Sequence, residues 1–227
     1  MAAIKTEREI ALIAKACNIT DGVFSRIISN FSFRTENELA DFIKQEAKKA
    51  GCKLSFRTII AAAGNAAQPH HKPRNTHLKG FVVIDMGVIY KGYMSDMTRT
   101  IYVGKPSSRE IAVYNLLKKS QETPIRKIRP GMKCSEAHWI ASRILGRWDN
   151  FFIHGLGHGV GTRIHERPRI RKKSRFYLRE NMAITVEPGI YVKKKFGMRI
   201  EDTCVIRKNR CIPLTKSTKK LLVFSAC

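Results

Sequence analysis

Four carboxylates lie inside apolar segments of the sequence, and this placement restricts how the chain can fold. Asp85 ends the segment FVVID, and Asp96 lies in MSDMTRTIYV, while Glu187 and Glu201 lie in AITVEPGIYV and MRIEDTCVI. An ionised carboxylate in an apolar interior is very costly unless a cation neutralises it. A fold that buries these segments must therefore bring positive charge to the acids.

The apolar segments are predicted to form two hairpins. In the first, a turn near residues 90–92 places the two aspartates opposite each other, and in the second a turn centred on Lys194 does the same for the two glutamates. Opposed residues of an antiparallel pair have Cβ atoms about 4.5–5.5 Å apart. Two buried carboxylates at that separation repel strongly, so each pair is expected to need protonation or a cation.

The order of predicted elements in the first half of the chain recurs in the second. The tetrapeptide REIA at residues 8–11 recurs at residues 109–112, 101 residues later, and the helix start predicted at Thr35 has its counterpart at Ser135. In each half, helices precede a hairpin. We therefore predict an internal duplication, with halves at about 1–104 and 105–227.

The predicted fold class is α+β. Because no low-complexity linker separates the halves, both should share one core, with helices packed outside antiparallel strands. Residues 1–227 are expected to form a single domain, with no separate N-terminal domain.

Glycine-flanked histidines form the strongest local motif, HGLGHGVG at residues 154–161. Alternating glycines permit close backbone approach and leave the imidazoles of His154 and His158 unobstructed. His165 follows in HERP, and His70 lies in PHHKP before the first hairpin. His158, with glycine on both sides, is the expected metal ligand beside the carboxylates.

Four carboxylates and one imidazole match the needs of about two divalent cations. In hydrolases, such metal pairs activate a water and polarise a carbonyl. The alternative is that each acid is a strand-edge residue paired with one of the plentiful lysines and arginines. The occurrence of the acids at repeated positions favours the metal site.

The chain is strongly basic, with 43 Lys and Arg against 18 Asp and Glu and a formal net charge of +25. Basic residues concentrate at 169–175, 193–195 and 216–220. One interpretation is a surface attracted to RNA or the ribosome. The alternative is an ordinary solvated basic surface.

The six cysteines include no CxxC pair, which favours reduced thiols in a reducing compartment. The sequence has no apolar run long enough to span a membrane and no signal-peptide core. It therefore predicts a cytoplasmic protein without a membrane segment.

With these motifs in view, the chain resembles the pita-bread metallopeptidases, which include methionine aminopeptidase, aminopeptidase P and prolidase. The matching stretches are IDMG, SDMTRT, HGLGHGVG, TVEPGIY and RIEDT, in that order. The resemblance implies a catalytic domain in which two pseudo-symmetric halves surround a dinuclear metal site. The implied metal ligands are Asp85, Asp96, His158, Glu187 and Glu201.

Three features resemble the Xaa-Pro branch more than methionine aminopeptidase: His154 four residues before a ligand, Glu-Asp-Thr at the last ligand, and the stretch PHHKP. The implied activity is metal-dependent hydrolysis of the N-terminal Xaa-Pro bond, by an aminopeptidase or a dipeptidase. The alternatives are a methionine aminopeptidase acting on nascent chains and a non-catalytic module that binds RNA or the ribosome.

The resemblance also implies roles for individual residues. Glu187 accepts the proton of the attacking water, and His70 or His165 donates a hydrogen bond to the developing oxyanion. The substrate pocket is lined by His70, His154, His165 and Arg169. Two divalent metal ions are implied, with manganese favoured, and the substrate is a peptide with proline at its second position. The oligomeric state stays open, with a homodimer as one candidate.

Overall fold

A computed structural model describes residues 4–225 of the chain. Its four α-helices are α1 (Glu7–Ser29), α2 (Glu36–Lys49), α3 (Ser108–Lys127) and α4 (Cys134–Leu145). Two short 3₁₀-helices lie at Ala63–Ala67 and Gly146–Phe151.

The strands are short and fall between and after the helix pairs. They are β1 (Lys53–Leu54), β2 (Ile59–Ala62), β3 (Gly80–Met86), β4 (Val88–Tyr90), β5 (Tyr93–Met94), β6 (Met97–Val103), β7 (Gly157–Gly159), β8 (Glu166–Ile170), β9 (Ala183–Val186), β10 (Gly189–Val192), β11 (Phe196–Arg199), β12 (Asp202–Arg207), β13 (Arg210–Pro213) and β14 (Val223–Phe224). The predicted α+β class is confirmed.

The first helix of each half begins with the same capping box. Thr6 and Ser107 each accept a hydrogen bond from the backbone N–H three residues on, and the side chains of Glu9 and Glu110 accept the N–H of the capping residue. Each box satisfies two backbone donors that a helix start leaves free. The two boxes lie 101 residues apart, which is the spacing of the REIA repeat.

The second helices of the two halves start differently. Thr35 caps α2 by accepting the N–H of Glu38. The start predicted at Ser135 is wrong, because α4 begins at Cys134 and has no side-chain cap. The N–H of Cys134 donates instead to the carbonyl of Phe176, 2.9 Å away. This contact from a distant segment satisfies one of the backbone donors that a helix start leaves free.

Each helix pair packs on its own sheet. The first sheet has the strand order β14-β6-β3-β2, and the second has the order β13-β12-β9-β7-β8. Side chains of α1 and α2 form one buried cluster with β3 and β6, while α3 and α4 form another with β9 and β12. Two halves with helices outside are therefore present, and the exact extents of the halves stay a prediction.

The first hairpin is shifted by two residues from the predicted register. Its turn lies at Lys91 and Gly92, which both have positive φ angles, of 47° and 84°. Asp85 lies opposite Thr98, so the predicted direct opposition of Asp85 and Asp96 is wrong. Because side chains alternate along a strand, a shift of two residues keeps both aspartates on the same face.

The second hairpin has the predicted register along its whole length. Strands β10 and β11 pair around a turn centred on Lys194, and β9 pairs with β12 further along in the same register. Glu187 and Glu201 lie opposite each other between these paired stretches. Their backbone N–H groups donate to the carbonyls of Leu156 and Thr98. The break in strand pairing at Glu187 and Glu201 therefore lies where the second sheet meets the first.

A buried ion pair joins β6 to the start of β12. The side chain of Arg99 donates to the carboxylate of Asp202 at 2.7 Å and to the carbonyl oxygens of Glu201 and Ser217. Arg99 is 1% exposed, and the N–H groups of its guanidinium donate to acceptors within the protein. The contact ties the strand that begins after Glu201 to the first half of the chain.

Glycines bring the HGLGHGVG segment close to its neighbours, as predicted. A Cβ on Gly157 would lie 2.0 Å from the carbonyl oxygen of Thr185, and a Cβ on Gly159 would lie 2.3 Å from that of Arg167. Neither position accepts a side chain without movement of the backbone. Strand β7 therefore lies flush between β8 and β9 and presents His158 at a fixed place.

The cysteines agree with the prediction of reduced thiols. Free, buried thiols are present at Cys17, Cys52, Cys134, Cys204 and Cys211, and Cys227 lies outside the described residues. Within residues 4–225, no helix combines the length and the apolar character needed to cross a membrane.

We expect Gly157→Ala to destabilise the protein by about 1–3 kcal/mol, because the added methyl group overlaps the Thr185 carbonyl and forces β7 away from β9. Urea unfolding followed by circular dichroism measures the change. Gly22→Ala, in the middle of α1, is the matched control. A Cβ there meets no atom closer than 3.7 Å, so this control should stabilise the protein by about 0.5–1 kcal/mol. Unchanged stability of Gly157→Ala would contradict the packing described.

Candidate active site

A cavity of about 620 Å³ is lined by residues of both halves. It brings together every residue that the sequence predicted for the site. Its lining includes the candidate metal ligands Asp85, Asp96, His158, Glu187 and Glu201, and the candidate substrate residues His70, His154, His165 and Arg169. Their roles stay predictions, but their proximity is a property of the fold.

The four carboxylates come from the ends of four strands. Asp85 lies near the end of β3, Asp96 immediately before β6, Glu187 immediately after β9, and Glu201 immediately before β12. Asp85, Asp96 and Glu201 are only 7%, 5% and 2% exposed. The strand ends therefore concentrate negative charge in a largely buried volume.

This concentration of charge shifts the acidities of the deepest carboxyl groups. Burial raises the pKa of Asp96 and of Glu201 well above the usual range, and neighbouring carboxylates raise both further. Burial also raises the pKa of Asp85, although the charge of Arg199 acts in the opposite direction. The surrounding side chains therefore supply too little positive charge to keep all of these carboxyl groups in their ordinary, ionised form.

The donor atoms of the cluster fit a divalent cation. A carboxylate oxygen of Asp96, one of Glu201 and a ring nitrogen of His158 lie within 4.8 Å of one another. Oδ1 of Asp85 and Oε1 of Glu201 are buried without a hydrogen-bond partner in the described part of the chain. Such unpaired acceptors are costly, and a bound cation would satisfy them.

Within residues 4–225, Asp85 alone among the four acids pairs with a lysine or arginine. Arg199 donates to Oδ2 of Asp85 at 2.6 Å, whereas Glu201 accepts the hydroxyl of Thr98 at 2.7 Å. Pairing with arginine or lysine therefore accounts for only one of the four acids in the described residues.

His158 lies close to one acid from the first half of the chain and one from the second. Its Nε2 lies 3.2 Å from Oε1 of Glu187 and 3.6 Å from Oδ2 of Asp96. Nδ1 faces the carbonyl of Gly159 at 3.1 Å, which leaves Nε2 to act as a ligand. Burial alone lowers the pKa of His158, but the hydrogen bond and charge of Glu187 outweigh burial and raise it. Burial alone raises the pKa of Glu187, but His158 outweighs it and lowers that pKa to about 2.

Arg199, Tyr191 and His154 form a buried chain that the sequence analysis did not identify as a unit. Arg199 donates to the hydroxyl of Tyr191 at 2.8 Å, and this hydroxyl lies 2.9 Å from Nε2 of His154. Nδ1 of His154 lies 2.7 Å from the carbonyl of Gly155. Both ring nitrogens of His154 are therefore engaged within the protein, and burial lowers its pKa.

The remaining candidate substrate residues lie nearer the opening of the cavity. His70 lies between β2 and β3 and is exposed. The ring of His165 lies edge-on to that of His158, with ring centres 4.5 Å apart. Arg169 lies opposite His158 in the pairing of β7 with β8. Burial lowers the pKa of His165, and the charge of His158 lowers it further, so the neutral imidazole is favoured.

Comparison with known proteins places this site in a family. Residues 11–208 match the sequence profile of "Metallopeptidase family M24". The Xaa-Pro dipeptidase of Pyrococcus furiosus is 40% identical over 225 residues, which cover 96% of this chain and 65% of the relative. The chain thus spans about 65% of the length of the curated relatives it matches.

Solved structures are similar over the same extent. The prolidase from Pyrococcus furiosus superposes with a TM-score of 0.91 at 40% identity, covering 95% of this chain and 66% of that one. The X-Pro aminopeptidase from Thermotoga maritima gives a TM-score of 0.92 at 32% identity, covering 97% and 64%. These similarities confirm the predicted pita-bread fold, and with the profile match they show that the chain belongs to metallopeptidase family M24.

Proposed function

We propose that the chain is a metal-dependent exopeptidase that hydrolyses the N-terminal Xaa-Pro bond of peptides. The observation that carries this proposal is the cluster of four carboxylates and one imidazole in a single cavity, in which two buried carboxylate oxygens have no partner among the described residues. The similarity to proteins named Xaa-Pro dipeptidase and X-Pro aminopeptidase supports the substrate class.

Two divalent metal ions are the cofactors of this proposal, and Asp85, Asp96, His158, Glu187 and Glu201 would hold them. Several oxygen donors with one imidazole suit manganese, cobalt, iron or zinc, and the family resemblance favours manganese. When bound, such ions activate a water and polarise the scissile carbonyl. Asp85 would keep its contact with an arginine through Oδ2 and offer Oδ1, which has no partner now.

The side chains of the cavity would carry the proton transfers and orient the peptide. Glu187 would accept the proton of the attacking water. His70 or His165 would donate a hydrogen bond to the carbonyl oxygen as it becomes negatively charged. Arg169 would attract the carboxylate of a short peptide. His154 would act as a fixed wall of the pocket, because both of its ring nitrogens are already engaged.

Methionine removal from nascent chains and non-catalytic binding of RNA or the ribosome are the alternatives. The names of the similar proteins favour Xaa-Pro substrates over N-terminal methionine, and the full set of acidic and imidazole ligands favours catalysis over simple binding. RNA association stays a prediction from the net charge of +25. The cytoplasmic location and a homodimer likewise stay predictions.

Product analysis with Ala-Pro, Ala-Pro-Gly and Met-Ala-Gly tests the substrate class. We expect the manganese-loaded protein to release alanine from at least one proline peptide and to leave Met-Ala-Gly intact, because the sequence carries the Xaa-Pro motifs around His70 and His154. Cleavage of Ala-Pro alone would indicate a dipeptidase, and cleavage of both would indicate an aminopeptidase. Release of methionine with both proline peptides intact would contradict the proposal.

Glu201→Gln is expected to change stability in opposite directions without and with metal. Without metal, the change removes an acid that is 2% exposed and should stabilise the protein by about 1–3 kcal/mol, because the buried charge or its neutralisation no longer costs energy. With manganese, the parent protein should gain stability from binding, and the variant should not.

Thermal unfolding in chelator and in manganese measures both effects. Glu180→Gln, at an exposed acid outside the cavity, is the matched control and should alter neither. A Glu201→Gln variant that manganese stabilises as much as it stabilises the parent protein would refute the role of Glu201 as a ligand.

A further inference from the structure

Four cations without partners surround the opening of the cavity. Arg57, Lys72, Arg169 and Arg171 all line it, and all four are exposed. Within residues 4–225, none of them takes part in an ion pair. We call these four residues the basic rim. Their charges are therefore available to a ligand.

In the described part of the chain, no acidic side chain forms an ion pair with the rim. The acids that line the cavity are the four carboxylates of the candidate metal cluster, which lie in its largely buried part. Glu166 begins β8, the strand that carries Arg169, but its carboxylate is bound to Lys5 at 2.6 Å. The cavity is thus negative in its interior and positive at its opening.

The members of the rim come from both halves of the chain. Arg57 precedes β2, and Lys72 follows His70 by two residues. Arg169 lies in β8, and Arg171 follows that strand. A peptide whose amino end enters the acidic interior would lead its following residues out past these exposed cations.

The geometry points to a preference for peptides that carry acidic side chains after the proline. The inference rests on the proposed Xaa-Pro exopeptidase activity and adds a substrate class to it. Carboxylates at the third and fourth residues of the peptide would meet the rim, while its amino end is attracted to the carboxylate interior. Exposed charge pairs of this kind are individually weak and screened by salt, so several together are needed for a useful preference.

The overall charge of +25 offers a competing explanation, because a basic molecule attracts any acidic peptide over a distance. The two explanations differ in which cations matter. A local rim predicts that the preference depends on three or four residues at the opening. A general field predicts that removing the same number of charges elsewhere has the same effect.

The test compares two amidated peptides, Ala-Pro-Glu-Glu and Ala-Pro-Gln-Gln, which differ only in charge after the proline. For the manganese-loaded protein, we expect kcat/KM to be about tenfold higher for the acidic peptide at about 10 mM salt and about equal at about 1 M salt. The ratio is measured on the same enzyme preparation, so a loss of active fraction cancels.

Two triple variants separate the local rim from the general field. Arg57→Gln/Lys72→Gln/Arg171→Gln should bring the ratio at low salt close to one. Arg169 is left unchanged there, because it is assigned to the carboxylate of short peptides. The matched control, Lys15→Gln/Lys44→Gln/Lys48→Gln, removes three exposed charges from α1 and α2 and should retain the preference.

Each outcome has one meaning. Equal cleavage of both peptides by the parent protein would overturn the rim inference and leave the proposed activity intact. Cleavage of neither peptide would overturn the rim inference, and cleavage of Ala-Pro in the same preparation would then show that the proposed activity is intact as that of a dipeptidase. Cleavage of none of the three would overturn the proposed activity itself. A ratio lowered equally by both triple variants would assign the preference to the general field. Inhibition by oligouridylate that the rim variant abolishes, with equal cleavage of the two peptides, would make the rim a nucleic-acid surface.

Discussion

Repulsion among buried carboxylates is the constraint on which the rest of this structure depends. Four strand ends direct acids into one cavity, and in the described residues Arg199 is the one arginine or lysine that pairs with any of them. An uncompensated buried charge is strongly destabilising. The capped helices, the two hairpins and the glycine segment hold these strand ends together, and positive charge supplied to the cluster would relieve the repulsion and stabilise the fold.

The sequence predicted an element correctly where residues close to it in the chain determine its position. The capping boxes at Thr6 and Ser107 act within one helical turn, and the second hairpin pairs in the register expected for a turn centred on Lys194. The first hairpin was misplaced by two residues because Tyr90 pairs with Tyr93, which centres the turn between Lys91 and Gly92 instead of between Tyr90 and Lys91. The start of α4 depends on a carbonyl from a distant segment, so no local pattern predicts it.

The candidate site was likewise predicted in part: its ligands were identified from the sequence, and the contacts that orient them were not. Residue type and repeated position identified the five candidate ligands, but not the environment that orients them. Arg199 was missed, although it lies two residues before Glu201 and therefore faces the same side of the chain. The hydroxyl of its partner Tyr191 lies within hydrogen-bond distance of His154, a contact that only the packed structure reveals. The net charge gave no indication that unpaired cations would gather at the opening.

The central claim is that the acid cluster is a metal centre, and diffraction from crystals grown with manganese tests it most directly. Anomalous difference density locates manganese independently of any assumption about side chains. The account predicts two peaks in the cavity, both within bonding distance of the carboxylates, with Nε2 of His158 beside one of them. A cavity without anomalous peaks, in which Asp96, Glu187 and Glu201 are each paired with a lysine or arginine, would contradict it.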